Sequence, residues 1–269
     1  MQYNSRIKTA SFWFLTSVLF LFPVVFLIVK SFTLPWRYQA HFHMHFTLRG
    51  WTTLLSENQL VSATFMSLLI GGVIVILNLL IGLSAGKALA FYQFKGKSIM
   101  DTLFLLPLIF PLLAIAMGVH IAMIRLGLAD MWVGVVLIHL VPTIPYSIKI
   151  LRNGYVSLGS NILEQSTSLG ANVWNRFLTI ELPLLKPALR STIFLTFVIS
   201  LSQYVITAII GGGNVVTLAM VYFPFLQSAS STVLAAFSIW FALVPILFYI
   251  MVEFILCFLP YQSPWRMKS

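Results

Sequence analysis

Few side chains in this 269-residue sequence can do chemistry, and their spacing limits what that chemistry could be. Gly82-Leu83-Ser84-Ala85-Gly86-Lys87-Ala88 comes nearest to a phosphate-binding loop. Such a loop needs four residues between its glycines and a Ser or Thr after the lysine, and it follows a strand. Here three residues intervene, Ala88 follows Lys87, and the segment ends an apolar run. Close helix packing across Gly82 and Gly86, with Lys87 at a membrane boundary, suits it better. His41, His43 and His45 alternate, so three imidazoles could converge on a transition metal. No carboxylate or cysteine stands beside them, so a solvated or docking segment is favoured and no metal is expected.

Proton-relay chemistry would need buried carboxylates or histidines. Glu253 and His139 are the candidates within apolar runs, and Glu253 sits close enough to a run's end to reach the interface. The acids Glu57, Asp101, Asp130, Glu164, Glu181 and Glu253 are scattered, which does not supply the clustered groups of a membrane-embedded enzyme. Ser200, Gln203, Tyr204 and Thr207 recur at i, i+3, i+4 and i+7 and would share one helix face. At membrane depth such a stripe either lines a solute path or hydrogen-bonds to neighbouring helices, and the residues alone leave both open.

The elements that must position these groups follow from composition. Apolar residues make up 59% of the chain and charged residues 8%, with a mean hydropathy of +0.97. A soluble domain carries roughly 25% charged residues. This chain could not clothe a water-facing surface, and it is too hydrophobic for disorder. Runs free of Asp, Glu, Lys and Arg cover 9–29, 58–86, 102–124, 131–148 and 191–252. A crossing takes about 20 residues, and Gly211-Gly212-Gly213-Asn214 with Ser228 to Ser231 divides the last run. The expectation is an all-α polytopic bundle, a single domain over 1–269, with six spans at about 10–30, 61–86, 102–124, 132–149, 190–209 and 234–258.

The net charge of +10 would suggest nucleic acid in a soluble protein, but here the basic residues lie between apolar runs and set orientation. With both termini cytoplasmic, the inner segments hold twelve Lys and Arg against four outside, a positive-inside bias. The first run reads as an anchor, since no small-residue cleavage site follows it. Trp36, Tyr38 and Trp51 suit an outer interface. The single cysteine, Cys257, excludes an internal disulfide.

The longest hydrophilic stretch is then a cytoplasmic loop of about 150–189. Ser160 or Asn161 can cap a short helix over 162–169, with Glu164 near its positive end. Gly170 suits the left-handed residue that closes it. A second short amphipathic helix over 172–179 follows, stopped by Leu182-Pro183. The product is a compact foot suited to a groove on a partner protein.

Glu164, Gln165, Ser166, Gly170, Ile180, Leu182 and Pro183 carry a specific pattern: Glu, two small residues, a Gly four further on, and Ile-x-Leu-Pro ten beyond it. It resembles the signature loop of permease subunits of binding-protein-dependent ABC importers, with Gln165 and Ser166 where two alanines are usual. Placement before the next-to-last span agrees. The resemblance implies a methionine-importer-like fold of type I and a non-catalytic subunit in the cell (inner) membrane. It would couple to a separate ATPase through Glu164, Ser166, Gly170, Ile180, Leu182 and Pro183. It also implies two cytoplasmic ATPase subunits that use ATP and magnesium, a second permease, identical or homologous, and an extracytoplasmic solute-binding protein. No cofactor on this chain and no nucleic acid are implied. Ser200 to Leu218 resembles the subgroup handling polyamines, ferric iron, thiamine and phosphonates, with Thr217-Leu218 matching and Ala219 replacing a proline. Many relatives carry acids where Ser202 and Gln203 stand, so a strongly cationic solute is less well matched. The alternative is an ion-coupled secondary transporter, which would show inverted repeats and buried charged relays.

Overall fold

The computed structural model describes residues 2–34, 45–226 and 230–257. His41, His43, Trp36 and Tyr38 lie outside the described residues. Among the described residues the chain is helical, with one isolated antiparallel bridge between Thr33 and Phe46. It forms two compact units, 1–61 with 221–244 and 62–220 with 245–269.

The first unit holds α1 (Gln2–Ser31) and α2 (Arg49–Leu55). The Trp51 indole donates to Ser31 Oγ at 3.3 Å, and Thr232 donates its hydroxyl to the Thr33 carbonyl. Phe225 stacks on Phe237 with centroids 4.0 Å apart.

In the second unit, α3 (Leu60–Phe91) is followed by α4 (Lys97–Leu103), α5 (Leu106–Ile109) and α6 (Leu112–Arg125). The single span expected over 102–124 is therefore broken. Pro107 and Pro111 account for this: each lacks an N–H, and Phe110 before Pro111 is extended at ψ 143°. Next, α7 (Trp132–Leu158) runs two turns beyond the expected 149 and carries Pro142 and Pro145 inside it. Gly159, at φ +77°, follows it.

The foot comprises α8 (Ser160–Ser168), α9 (Val173–Arg176), a π-helical turn (Phe177–Glu181) and α10 (Leu182–Leu184). Then come α11 (Lys186–Leu201), α12 (Val205–Gly211), α13 (Leu218–Leu226) and α14 (Ser231–Cys257). The last two bridge the units in sequence. Among the described residues α3, α7 and α14 are each long and apolar enough to cross a bilayer, and 173–184 with α11 makes a further candidate bent by 73°. Leu15–Ser31 and Leu112–Arg125 are shorter apolar helices.

Two glycines let α3 approach α7 closely. A Cβ on Gly82 would lie 2.7 Å from Leu151 Cδ1, and one on Gly86 would lie 2.8 Å from the Arg152 backbone nitrogen. This is the small-residue packing expected of the Gly82–Gly86 pair. One turn deeper, Asn78 Nδ2 donates to Thr143 Oγ1 at 2.8 Å. Ile70, Ile74, Val135, Ile138, Ile206 and Ile210 form the apolar centre between α3, α7 and α12.

Gly86→Ala is expected to push α7 away from α3 at a cost of about 1–3 kcal/mol. Gly72→Ala, with nothing within 4 Å of the added carbon, should be neutral or stabilising by about 0.5–1 kcal/mol. Melting temperatures of the two purified variants test the contrast.

Candidate functional site

The foot is held to the spans by one buried carboxylate. Glu181 is 1% exposed, and Lys87 Nζ near the C-terminal end of α3 lies 2.7 and 2.8 Å from its two oxygens. Tyr155 in the last turn of α7 donates to Oε2 at 3.2 Å, and Arg176 Nε donates to Oε1 at 3.3 Å. Arg176 also donates from Nη1 to Thr167 Oγ1 at 2.8 Å, reaching α8. One anion thus gathers α3, α7, α8 and α9. The π turn that carries it closes an i to i+5 bond, Leu182 N–H to the Phe177 carbonyl. Such wide turns recur at functional sites. Glu181 was present in the sequence as one of six scattered acids. Its signal was a lone acid inside an inner apolar stretch, matched by Lys87 at the end of α3.

The short helices lie close to their expected positions, with different ends. Gly159 precedes α8, and no side-chain cap forms there, so neither Ser160 nor Asn161 caps it. Instead Asn172 caps α9, accepting from Asn175 N–H at 2.8 Å. Gly170 has φ +84°, the left-handed conformation expected, and nothing lies within 4 Å of an added Cβ. Leu182-Pro183 does not stop the helix: Pro183 sits in the first turn of α10, where its missing N–H costs nothing. The chain bends after it, at Leu185, before Lys186-Pro187.

Glu164 and Gly170 are exposed, Ile180 and Leu182 are half-buried, and Ser166 and Pro183 are buried. Ser166 donates to the Leu163 carbonyl at 2.7 Å, so it holds α8 together from within. Large apolar side chains cover the outside of the foot instead. Leu169 is 88% exposed, Val173 70% and Trp174 69%. Sequence reasoning placed a groove-binding foot here but did not single these three out.

The stripe of Ser200, Gln203, Tyr204 and Thr207 is not one helix face. Helix α11 ends at Leu201 and α12 begins at Val205. The turn closes locally, with Tyr204 N–H on the Ser202 carbonyl at 3.0 Å. His139 bridges the break: Nδ1 lies 3.1 Å from Ser200 Oγ and Nε2 2.9 Å from Thr207 Oγ1. The Thr207 hydroxyl donates to the Gln203 carbonyl, so its oxygen accepts from Nε2. One imidazole thus holds two helix ends. Ser200 and Thr207 are buried there, while Gln203 and Tyr204 are half-exposed at the break. Glu253 is paired with Arg190, whose Nε donates to Oε2 at 2.8 Å.

The fold and the foot together define a multi-pass membrane protein with a compact foot fastened to its helices. Residues 78–258 match the family of binding-protein-dependent transport system inner membrane components, and the chain belongs to that family. Among relatives it is 30% identical over 159 residues to the molybdate/tungstate transport system permease protein WtpB of Methanocaldococcus jannaschii. That match covers 55% of this chain and spans 63% of the relative's length. It is 26% identical over 206 residues to the sulfate transport system permease protein CysT of Escherichia coli (strain K12), covering 68% of this chain and 74% of the relative. To the spermidine/putrescine permease PotC of the same organism it is 23% identical over 193 residues, 71% of each chain.

In fold it resembles a chain of a bacterial ABC transporter that imports the acidic polysaccharide alginate, with TM-score 0.71, 16% identity and coverage of 93% and 96%. It also resembles a chain of the inward-facing MetNI methionine ABC transporter, with TM-score 0.57, 15% identity and coverage of 74% and 95%.

Glu181→Ala leaves Lys87 and Arg176 facing a void. Removing one partner of a buried ion pair costs roughly 3–5 kcal/mol, so the variant should melt at lower temperature than wild type. Limited proteolysis should then cut the foot between 160 and 185 first; unchanged melting and cleavage would show that the carboxylate does not anchor the foot.

Proposed function

We propose that this chain is the permease subunit of an ATP-driven, binding-protein-dependent importer. It crosses the membrane six times with both ends cytoplasmic and forms half of the translocation path. The observation that carries the reading is the foot: it is fastened to α3 and α7 by Glu181, while Leu169, Val173 and Trp174 stay exposed on it. An exposed apolar surface on a rigid element suits a groove on a partner. Glu164, Gly170 and the buried Ser166 and Pro183 shape that element, and Ile180 and Leu182 join it to α11. The partners are two cytoplasmic ATPase subunits, which use ATP and magnesium, a second permease and an extracytoplasmic solute-binding protein. ATP binding on the partner favours one of two bundle states, and the foot carries that bias to the spans. This chain performs no catalysis itself.

The half-exposed Gln203 and Tyr204, at the break between α11 and α12, are the proposed path-lining residues. Ser200 and Thr207 support them from behind through His139. An ion-coupled mechanism finds little here, since Glu253 is held by Arg190 and both nitrogens of His139 are occupied. Among the solutes named for relatives, the oxyanions suit these spans better than the polyamines. The acids at the span ends, Glu181 and Glu253, are already paired with cations, and neutral Ser202 and Gln203 stand where a cation would want a carboxylate.

Gly170→Val should insert normally and abolish uptake by the assembled transporter, because a β-branched residue disfavours the left-handed backbone by about 1–2 kcal/mol. Gly170→Asn, which tolerates that conformation, should keep most activity. Solute uptake and ATPase stimulation in vesicles test both, and normal transport by the valine variant would overturn the coupling role.

A further inference from the structure

A cleft of about 80 Å³ opens between the start of the third span and the inner half of α7, apart from the foot and from the break in the fifth span. Its polar groups are Asp101, Lys149 and Arg152. Phe104 and Leu105 close one side, and Pro145 and Ile148 the other. Pro145, Ile148, Lys149 and Arg152 recur at i, i+3, i+4 and i+7, so α7 presents them on one face.

Charge in the cleft is unbalanced. Arg152 Nη1 donates to Asp101 Oδ1 at 3.1 Å, with both side chains about one-third exposed. That pair uses one of the five guanidinium donors. Lys149 is exposed and has no ion-pair partner among the described residues. Two cations against one carboxylate leave a single positive charge, set beside apolar walls. Helix α4 at its mouth buries none of its side chains, and Ile99 and Leu103 are 71% and 54% exposed. Arg152 lies one turn before Tyr155, the anchor of the foot, so the cleft sits about one to two turns of α7, roughly 5–9 Å, to the membrane side of the foot.

We propose that this cleft binds the phosphodiester headgroup of an anionic phospholipid from the leaflet on the side of the foot. A phosphodiester carries one negative charge, which matches the uncompensated cation. Lys149 and the free edge of Arg152 donate to its oxygens, while the first part of an acyl chain lies against the apolar walls, Phe104, Leu105, Pro145 and Ile148. Basic pockets between membrane helices at that depth are suited to such headgroups. The leaflet assignment rests on the proposed orientation of the foot; the cleft and its charge do not.

The test is native mass spectrometry of the full chain purified with its lipids, counting retained phosphatidylglycerol. Lys149→Gln leaves the Asp101–Arg152 pair intact and should retain about fivefold less of the tightest-bound lipid. Lys149→Arg should restore it, and Lys95→Gln, which removes a charge outside the cleft, should behave as wild type. Millimolar inorganic phosphate should not displace the lipid. Equal retention by Lys149→Gln and wild type, or equal loss in Lys95→Gln, overturns the site. Displacement by phosphate assigns the cleft to a soluble anion and overturns the lipid. None of these outcomes bears on the transport reading, which is decided by uptake in the Gly170 variants.

Discussion

The buried Glu181 carboxylate is the constraint around which the foot end of the second unit is arranged. An isolated charge in such a place is costly unless it is paired and hydrogen-bonded. Glu181 meets this demand with Lys87, Arg176 and Tyr155, one from α3, one from the foot and one from α7. Each partner is therefore held where the carboxylate requires it. Moving the foot away from the spans would part Glu181 from Lys87 and Tyr155 and leave charge uncompensated, which ties the foot to the helix ends.

A second polar knot, around His139, does the corresponding work deeper in the bundle. The chain is interrupted at 202–204, between α11 and α12, which frees backbone groups that a bilayer would not satisfy. Ser200 and Thr207 flank the interruption, and one imidazole bonds both. Thr207 in turn satisfies the Gln203 carbonyl. The break is thus stable enough to persist while leaving Gln203 and Tyr204 half-open. Broken helices near the middle of a transporter are tolerated where they line a cavity.

What the sequence made legible was local. Gly170 could be recognised as a left-handed closing residue because the signal lies within one turn of chain, and Gly82 with Gly86 because the spacing itself encodes close approach. The run of apolar residues exposed the membrane character at once. Long-range pairing was not legible: Lys87 and Glu181 are 94 residues apart, and His139 is 61 and 68 residues from its two partners. The break at Pro107 and Pro111 was visible in principle, yet a rule that looks only for charge-free runs passes over prolines. The helix caps failed for a different reason. Ser160 could have served, but Gly159 already turns the chain and leaves α8 without a side-chain cap, while Asn172 caps α9.

The near-absence of side chains between α3 and α7 at Gly82 and Gly86 has a mechanical meaning. Backbones in contact have no soft layer to absorb displacement, so this approach couples the two helices closely. Lys87 and Tyr155 fasten their ends to the foot. Helix α7 has 27 residues and is about 40 Å long, so a tilt of about 5° at the foot moves its far end by about 3.5 Å. A small rotation where α7 meets the foot is thus magnified, by leverage alone, at the helix's opposite end.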